Sequence, residues 1–169
     1  AGLDAGVITP ETTYNDTGCI MVNTAKICNW DSKARGVIPM QQIILQSLNL
    51  GVSWIATQLG QDKFREYFTT LFAQKTDIDQ PNEGRSLIAN LSTTQQVNYD
   101  TASFGQGIAE TPVQMIRALG ALANGGIMVQ PHLVSAVRLD SGIVRQLDWG
   151  KTTPVFSVTA VRETVRMMT

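Results

Sequence analysis

Ser47 and Asn49, in the run Ser47-Leu48-Asn49-Leu50-Gly51, place a hydroxyl and a carboxamide two residues apart on a turn between two helical stretches. A hydroxyl so placed accepts a proton and passes it on, and a carboxamide offers a donor and an acceptor to one peptide group at once. Neither makes a covalent bond unaided, because a nucleophile needs an activating base beside it. Taken alone, the pair reads more commonly as helix capping, the ordinary use of serine and asparagine at helix ends.

Other chemistries find less support. His132 is the single histidine, with no cysteine or second histidine near it in the sequence to make a metal site or a Cys-His pair. No serine is flanked as Gly-x-Ser-x-Gly, so a Ser-His-Asp elbow is absent. Gly105, Gly107, Gly125 and Gly126 do not follow the spacing of a dinucleotide or phosphate loop. No metal and no cofactor are expected.

The charges, 13 basic and 14 acidic with a net of −1, do not form the footprint of a nucleic-acid binder. No apolar run is long enough to span a bilayer and no signal peptide opens the chain, so the chain itself is expected to be soluble. Its 169 residues fit one domain or part of one. Gly6 stands where a helix C-terminal glycine belongs, less than two turns from Ala1, and Val158, Val161, Val165 and Met168 keep helical spacing up to Thr169 without a stop. Both features suggest a chain truncated at both ends.

The elements that must position Ser47 and Asn49 follow from periodicity and turn chemistry. Thr17 to Cys28 reads as two short strands turning at Asn23-Thr24, a register that sets Cys19 opposite Cys28 at a non-hydrogen-bonded position. A disulfide and two buried thiols both remain open. Pro39 opens a helical run with Met40, Ile43 and Ile44 on one face, and Ser47 continues that stripe. Leu50-Gly51 interrupts it, and Val52, Ile55, Ala56 and Leu59 form a second helix ending at Gly60. Phe64, Tyr67, Phe68, Leu71 and Phe72 make a third, whose aromatic stripe is read as core. Residues 73 to 111, rich in polar residues and glycine, read as a long surface excursion. Thr111-Pro112-Val113-Gln114 starts a helix that stops at Asn124-Gly125-Gly126, with short strands at 127–129, 133–137 and 143–147, the last two joined at Asp140-Ser141-Gly142.

Several strings decide how Ser47-x-Asn49 is read: Leu3 to Tyr14, Ala102-Ser103-Phe104-Gly105-Gln106-Gly107-Ile108, Thr111-Pro112-Val113-Gln114-Met115, and Ala121 to Gly126 continuing into Pro131-His132-Leu133-Val134. With them the chain resembles the transpeptidase domain of class B, monofunctional penicillin-binding proteins over nearly its whole length. The resemblance implies an α+β, beta-lactamase/transpeptidase-like fold, here dominated by its helical subdomain with short β-hairpins, and makes residues 1–169 the central part of such a domain. It implies a D,D-transpeptidase of peptidoglycan synthesis at the extracytoplasmic face of the cell membrane, which binds stem peptides and beta-lactams and meets the membrane only through parts outside this chain.

In this family Ser-x-x-Lys, Ser-x-Asn and Lys-Thr-Gly meet in one cleft. Only Ser47-Leu48-Asn49 matches here, so Ser47 would serve the proton path to the leaving amine and Asn49 would hold the substrate amide. No serine is followed by lysine at the third position. Lys75-Thr76-Asp77 resembles a non-catalytic Gln-Lys-Thr-Gly-Ile-Asp segment, and Lys151-Thr152-Thr153 precedes the last helix instead of following it. The chain alone is therefore expected to be inactive, and its exposed apolar faces to favour either a compact helical subdomain or self-association. Two competitors remain: a catalytically silent cell-envelope scaffold of the same fold, and a serine hydrolase of the beta-lactamase or carboxypeptidase kind, which lacks the Ser-Phe-Gly-Gln-Gly and Thr-Pro-Val-Gln-Met strings.

Overall fold

The computed structural model of the chain describes residues 1–73 and 75–168. Its first residues form a helical turn closed by Val7 N–H to Gly2 O (3.1 Å) and Gly6 N–H to Leu3 O (3.2 Å), with Gly6 in the left-handed region at φ 70°. This is the glycine stop expected at that position. Strand β1 (Thr13–Asp16) then pairs antiparallel with β4 (Gly36–Pro39), Thr13 opposite Pro39 and Asp16 opposite Gly36. Between them, β2 (Cys19–Val22) and β3 (Ala25–Cys28) form a separate two-stranded hairpin around Asn23 and Thr24, with Asn23 at φ 53°. Asparagine tolerates that conformation better than most residues, and the two-residue loop fixes the register. Cys19 therefore faces Cys28 at a Cα separation of 4.1 Å, and the two are joined by a disulfide.

Helix α1 (Met40–Leu45) begins one residue later than the sequence predicts, because Pro39 is extended (φ −78°, ψ 163°) and completes β4. A second correction concerns Leu50-Gly51. These residues do not interrupt a helix but lie in the first turn of α2 (Asn49–Leu59), where a β-carbon on Gly51 would come 2.5 Å from Ile43 Cγ1. Glycine is needed there for close approach of the two helices, not for a break. Helix α2 joins the two cores. Leu50 packs with Tyr14, Met40, Ile43 and Leu48 in one, and Ala56 and Leu59 pack with Phe64, Leu91 and Tyr99 in the other.

Helix α3 (Gln61–Phe68) runs into a π-helical segment, Thr69–Ala73, and its aromatic stripe is core: Phe64 stacks on Phe68 at 4.4 Å and meets the Tyr99 ring edge-on at 5.8 Å. The predicted surface excursion is only partly one. It contains a 3₁₀ turn (Ala89–Ser92) and helix α4 (Gln96–Ala102), in which Tyr99, Asp100 and Ala102 are buried. A polar sequence stays inside because its polar groups are met: the Tyr99 hydroxyl lies 2.7 Å from Leu91 O and 2.8 Å from Thr93 O, and Arg65 Nε donates to Leu91 O at 2.7 Å.

Helix α5 (Pro112–Ala123) starts as expected. Thr111 Oγ1 accepts from Gln114 N–H (3.2 Å) while Gln114 Oε1 accepts from Thr111 N–H (2.9 Å), a reciprocal capping box. Strand β5 (Ile127–Val129) pairs with β8 (Thr152–Pro154), and β6 (Ala136–Arg138) with β7 (Val144–Gln146) through a turn at Gly142. Helix α6 (Val158–Met167) follows, capped by Ser157; the expected continuation to Thr169 lies outside the described residues.

Asp4 ties the two ends of the chain together, accepting from the Tyr67 hydroxyl (2.6 Å) and from Ser157 N–H (2.7 Å). Burial alone would raise its pKa, but these hydrogen bonds outweigh it and hold the carboxyl below the usual range. A depressed folded-state pKa stabilises the fold above the unfolded value, about 3.9, and that stability is lost as pH falls through the folded value. Asp4→Asn is therefore expected to be less stable than the parent at neutral pH, with the difference shrinking below about pH 4. Urea unfolding across pH checks this, and a difference independent of pH would refute it.

Candidate active site

Ser47 does not continue the apolar stripe of α1. The helix closes first, with Ser47 N–H bonded to Ile44 O (3.2 Å) and Leu48 N–H to Ile43 O (3.0 Å), and Ser47 lies between them at φ 51°. These two bonds define a Schellman stop, and Ser47 occupies the left-handed position where glycine is usual. The reversal turns the Ser47 side chain to solvent and puts Leu48, 1 % exposed, on Ile43 in the core. A side chain with a β-carbon is thus held in a strained conformation on an exposed turn, a feature that concentrates at functional sites.

Asn49 is the first residue of α2, yet its side chain does not cap that helix. Its Nδ2 donates to Cys28 O at 3.0 Å, and its Oδ1 bonds to none of the described residues. The capping is done from a distance by Asn29, whose Oδ1 accepts from Leu50 N–H at 3.1 Å. Asn29 is fixed in turn by Asp16, its Nδ2 lying 3.0 and 2.9 Å from the two carboxylate oxygens. Asp16 also accepts from Gly18 N–H (2.8 Å) and from the Tyr14 hydroxyl (2.7 Å). Burial and the adjacent carboxylate push the Tyr14 pKa up, which keeps it a donor.

On the other side of the turn, Trp30 Nε1 donates to Gln46 O (3.3 Å) and Arg35 Nε to Gln46 Oε1 (3.1 Å). The Arg35 fork grips Asp31 through Nη1 (2.7 Å) and Nη2 (2.9 Å), and these bonds bring the Asp31 carboxyl down to about 2. Asp16, Asn29, Trp30 and Arg35 were not legible as site residues. Polar groups spread over 20 residues carry no periodic signal.

The two lysine-threonine pairs lie elsewhere. Thr76 is buried and committed to Glu83, which accepts from its N–H (2.7 Å) and its hydroxyl (2.6 Å), and Asp77 takes φ 56° where the similar family segment has glycine. Lys151 directly precedes β8, ahead of α6. Both lysines line a cleft of about 820 Å³ with Arg85, Arg117, Asp77 and Thr153, and neither Ser47 nor Asn49 borders it. His132 stacks on Trp149 at 5.3 Å. Among the described residues no cluster of His, Cys, Asp or Glu has the arrangement of a metal site.

The penicillin-binding protein transpeptidase domain family matches residues 1–169, the whole chain. The chain belongs to that family. Stage V sporulation protein D of Bacillus subtilis is 31% identical over 121 residues, covering 71% of this chain and 19% of that protein. A peptidoglycan D,D-transpeptidase FtsI homolog of Chlorokybus atmophyticus is 28% identical over 149 residues, covering 80% of this chain and 22% of that protein. The chain thus spans about a fifth of the length of these relatives. Penicillin-binding protein 3 of Mycobacterium tuberculosis, in its crystal structure with aztreonam, superposes with a TM-score of 0.89 at 20% identity, over 98% of this chain and 37% of that one. The fold is therefore the mixed α and β fold of penicillin-binding transpeptidase domains. The sequence strings around Phe104, Pro112 and Gly125 pointed to this family, and the match over the full chain bears that out.

Proposed function

We propose that this chain is the central part of a D,D-transpeptidase domain, with Ser47 and Asn49 forming one wall of the cleft and the acylated serine lying outside residues 1–169. The observation that carries the reading is the Ser47 turn: an exposed hydroxyl kept in the left-handed region, two residues from a carboxamide pinned to Cys28 O at 3.0 Å. In the intact domain the serine oxygen bonds to a stem-peptide carbonyl, and the peptide C–N bond breaks. Ser47 relays a proton to the departing amine, while Asn49 holds the amide next to the bond being cleaved. A second amine then takes the acyl group and frees the serine. Beta-lactams enter the same step, because their strained amide acylates the same serine. The reaction takes place at the extracytoplasmic face of the membrane; no helix among the described residues is long and apolar enough to cross one.

Apolar clefts lie beside the N-terminal turn. Three clefts, of about 280, 280 and 160 Å³, are bordered by Ala1. They open between α1, α2, α3, α5 and α6 and are walled mainly by apolar side chains, among them Ile43, Ile55, Phe68, Leu122 and Val161.

For the chain alone, incubation with a labelled penicillin followed by intact-mass measurement is expected to return unmodified protein. A stoichiometric adduct would mean that a residue within 1–169 is the nucleophile and would overturn the reading. Met115, Ile116 and Leu119 on α5 are exposed, so the isolated chain is also expected to associate with rising concentration. Light scattering on a size-exclusion column checks that, and a monomer at all concentrations would refute it.

A further inference from the structure

The Ser47–Asn49 turn is held largely by one segment, residues 28–35. Cys28 O receives the Asn49 carboxamide (3.0 Å), Asn29 caps α2 at Leu50 N–H (3.1 Å), and Trp30 and Arg35 hold Gln46 on the other side. This segment hangs from a weak support. The β2–β3 hairpin is a two-stranded sheet with four residues in each strand and, among the described residues, no third strand. Such a hairpin is marginally stable by itself. Ile20 and Met21 on β2 are exposed, and the hairpin meets the core only through Ile27 and Val22. The Cys19–Cys28 disulfide closes this hairpin at the residue whose carbonyl grips Asn49, and both cysteines are only half-buried.

We propose that Cys28 and Asn29 are positioning residues for the Ser47-x-Asn49 motif, and that the Cys19–Cys28 disulfide is a covalent clamp that sets where the Asn49 carboxamide meets substrate. The inference rests on the reading of Asn49 as the group that holds the substrate amide. With the disulfide intact, the end of β3 cannot slide or fray against β2, so Cys28 O stays in place and the Asn49 side chain has one orientation. Once the bond is reduced, a dithiol supplies two electrons and two protons and is itself oxidised to a disulfide; Cys19 and Cys28 become thiols, and the hairpin end keeps only the Asn29 bonds to Asp16 and to Gly18 O (2.9 Å), which leave the Cys28 carbonyl freer to shift. Asn49 then loses its fixed acceptor before the core of α2 is disturbed.

The test is steady-state turnover of a stem-peptide substrate by the intact enzyme in three forms: the parent, Cys19→Ser with Cys28→Ser, and Asn49→Ala. Treating the parent with dithiothreitol is expected to raise KM about tenfold, the effect of one lost well-placed hydrogen bond, with kcat changed much less. Reoxidation should restore it. The double serine variant should show the raised KM from the start and ignore the reductant, which excludes effects at cysteines elsewhere in the enzyme. If the serine variant does not fold, reduction of the folded parent still decides the matter. A fall in kcat with KM unchanged means a smaller active fraction, a purely structural role, and overturns the clamp. An unchanged KM on reduction, with KM raised in Asn49→Ala, overturns the clamp and leaves Asn49 in its role. An unchanged KM in Asn49→Ala overturns the underlying reading and the clamp with it.

Discussion

Ser47→Gly is expected to stabilise this chain by about 0.5–1 kcal/mol and, in the intact enzyme, to slow acyl transfer by a factor on the order of 10²–10⁴. The two effects have separate causes. At φ 51° a residue with a β-carbon is strained by about 1–2 kcal/mol, partly offset in glycine by the larger entropy of its unfolded chain, about 0.5–1 kcal/mol. The Ser47 hydroxyl bonds to no described residue, so its removal costs the fold nothing further. On the role proposed for Ser47, the proton path, by contrast, loses its relay. Urea unfolding of the chain and turnover by the intact enzyme measure the two sides. A loss of stability would make the hydroxyl structural, and unchanged turnover would remove Ser47 from the mechanism.

Asp16→Ala is expected to cost on the order of 3–5 kcal/mol, a large share of the roughly 5–15 kcal/mol that holds a domain together. Asp16 is 1 % exposed and accepts from the Tyr14 hydroxyl, Gly18 N–H and Asn29 Nδ2. Removing it strands three buried donors, each worth about 1–3 kcal/mol when unsatisfied. Asn29 is then released from its anchor, and α2 loses a cap worth about 1 kcal/mol at the turn that carries Asn49. Asp16→Asn should fall between parent and alanine, since it keeps an acceptor but turns an amide donor toward Asn29. Urea midpoints of the three proteins test the order, and a cost below about 1 kcal/mol for alanine would show that water replaces the carboxylate.

Where one local rule decided a feature, the sequence was enough. The two-residue turn at Asn23-Thr24 set Cys19 opposite Cys28, Thr111 and Gln114 announced the start of α5, and Asn124-Gly125-Gly126 its end. Features decided by tertiary partners were hidden. Strand β1 alternates correctly, but its second buried residue is Asp16, a carboxylate that reads as polar until its donors are in place. Helix α4 is polar because Tyr99 and Asp100 are buried with hydrogen-bond partners, and no apolar stripe marks it. Gly51 looked like a break because glycine breaks helices more often than it admits a neighbour such as Ile43. At the site, Ser47 and Asn49 were legible as a motif, whereas the left-handed turn and the support from Cys28 and Asn29 needed contacts 21 residues apart in the chain.

The most direct measurement is the rate at which the intact enzyme is acylated by a labelled penicillin, with and without Asn49→Ala, followed by mass mapping of the acylated peptide. Asn49→Ala should slow acylation at least about tenfold, the cost of one hydrogen bond to the substrate amide, and the label should map outside residues 1–169. An unchanged rate, or a label on a residue of this chain, would contradict the assignment of Ser47 and Asn49 as one wall of a site whose nucleophile lies elsewhere in the protein.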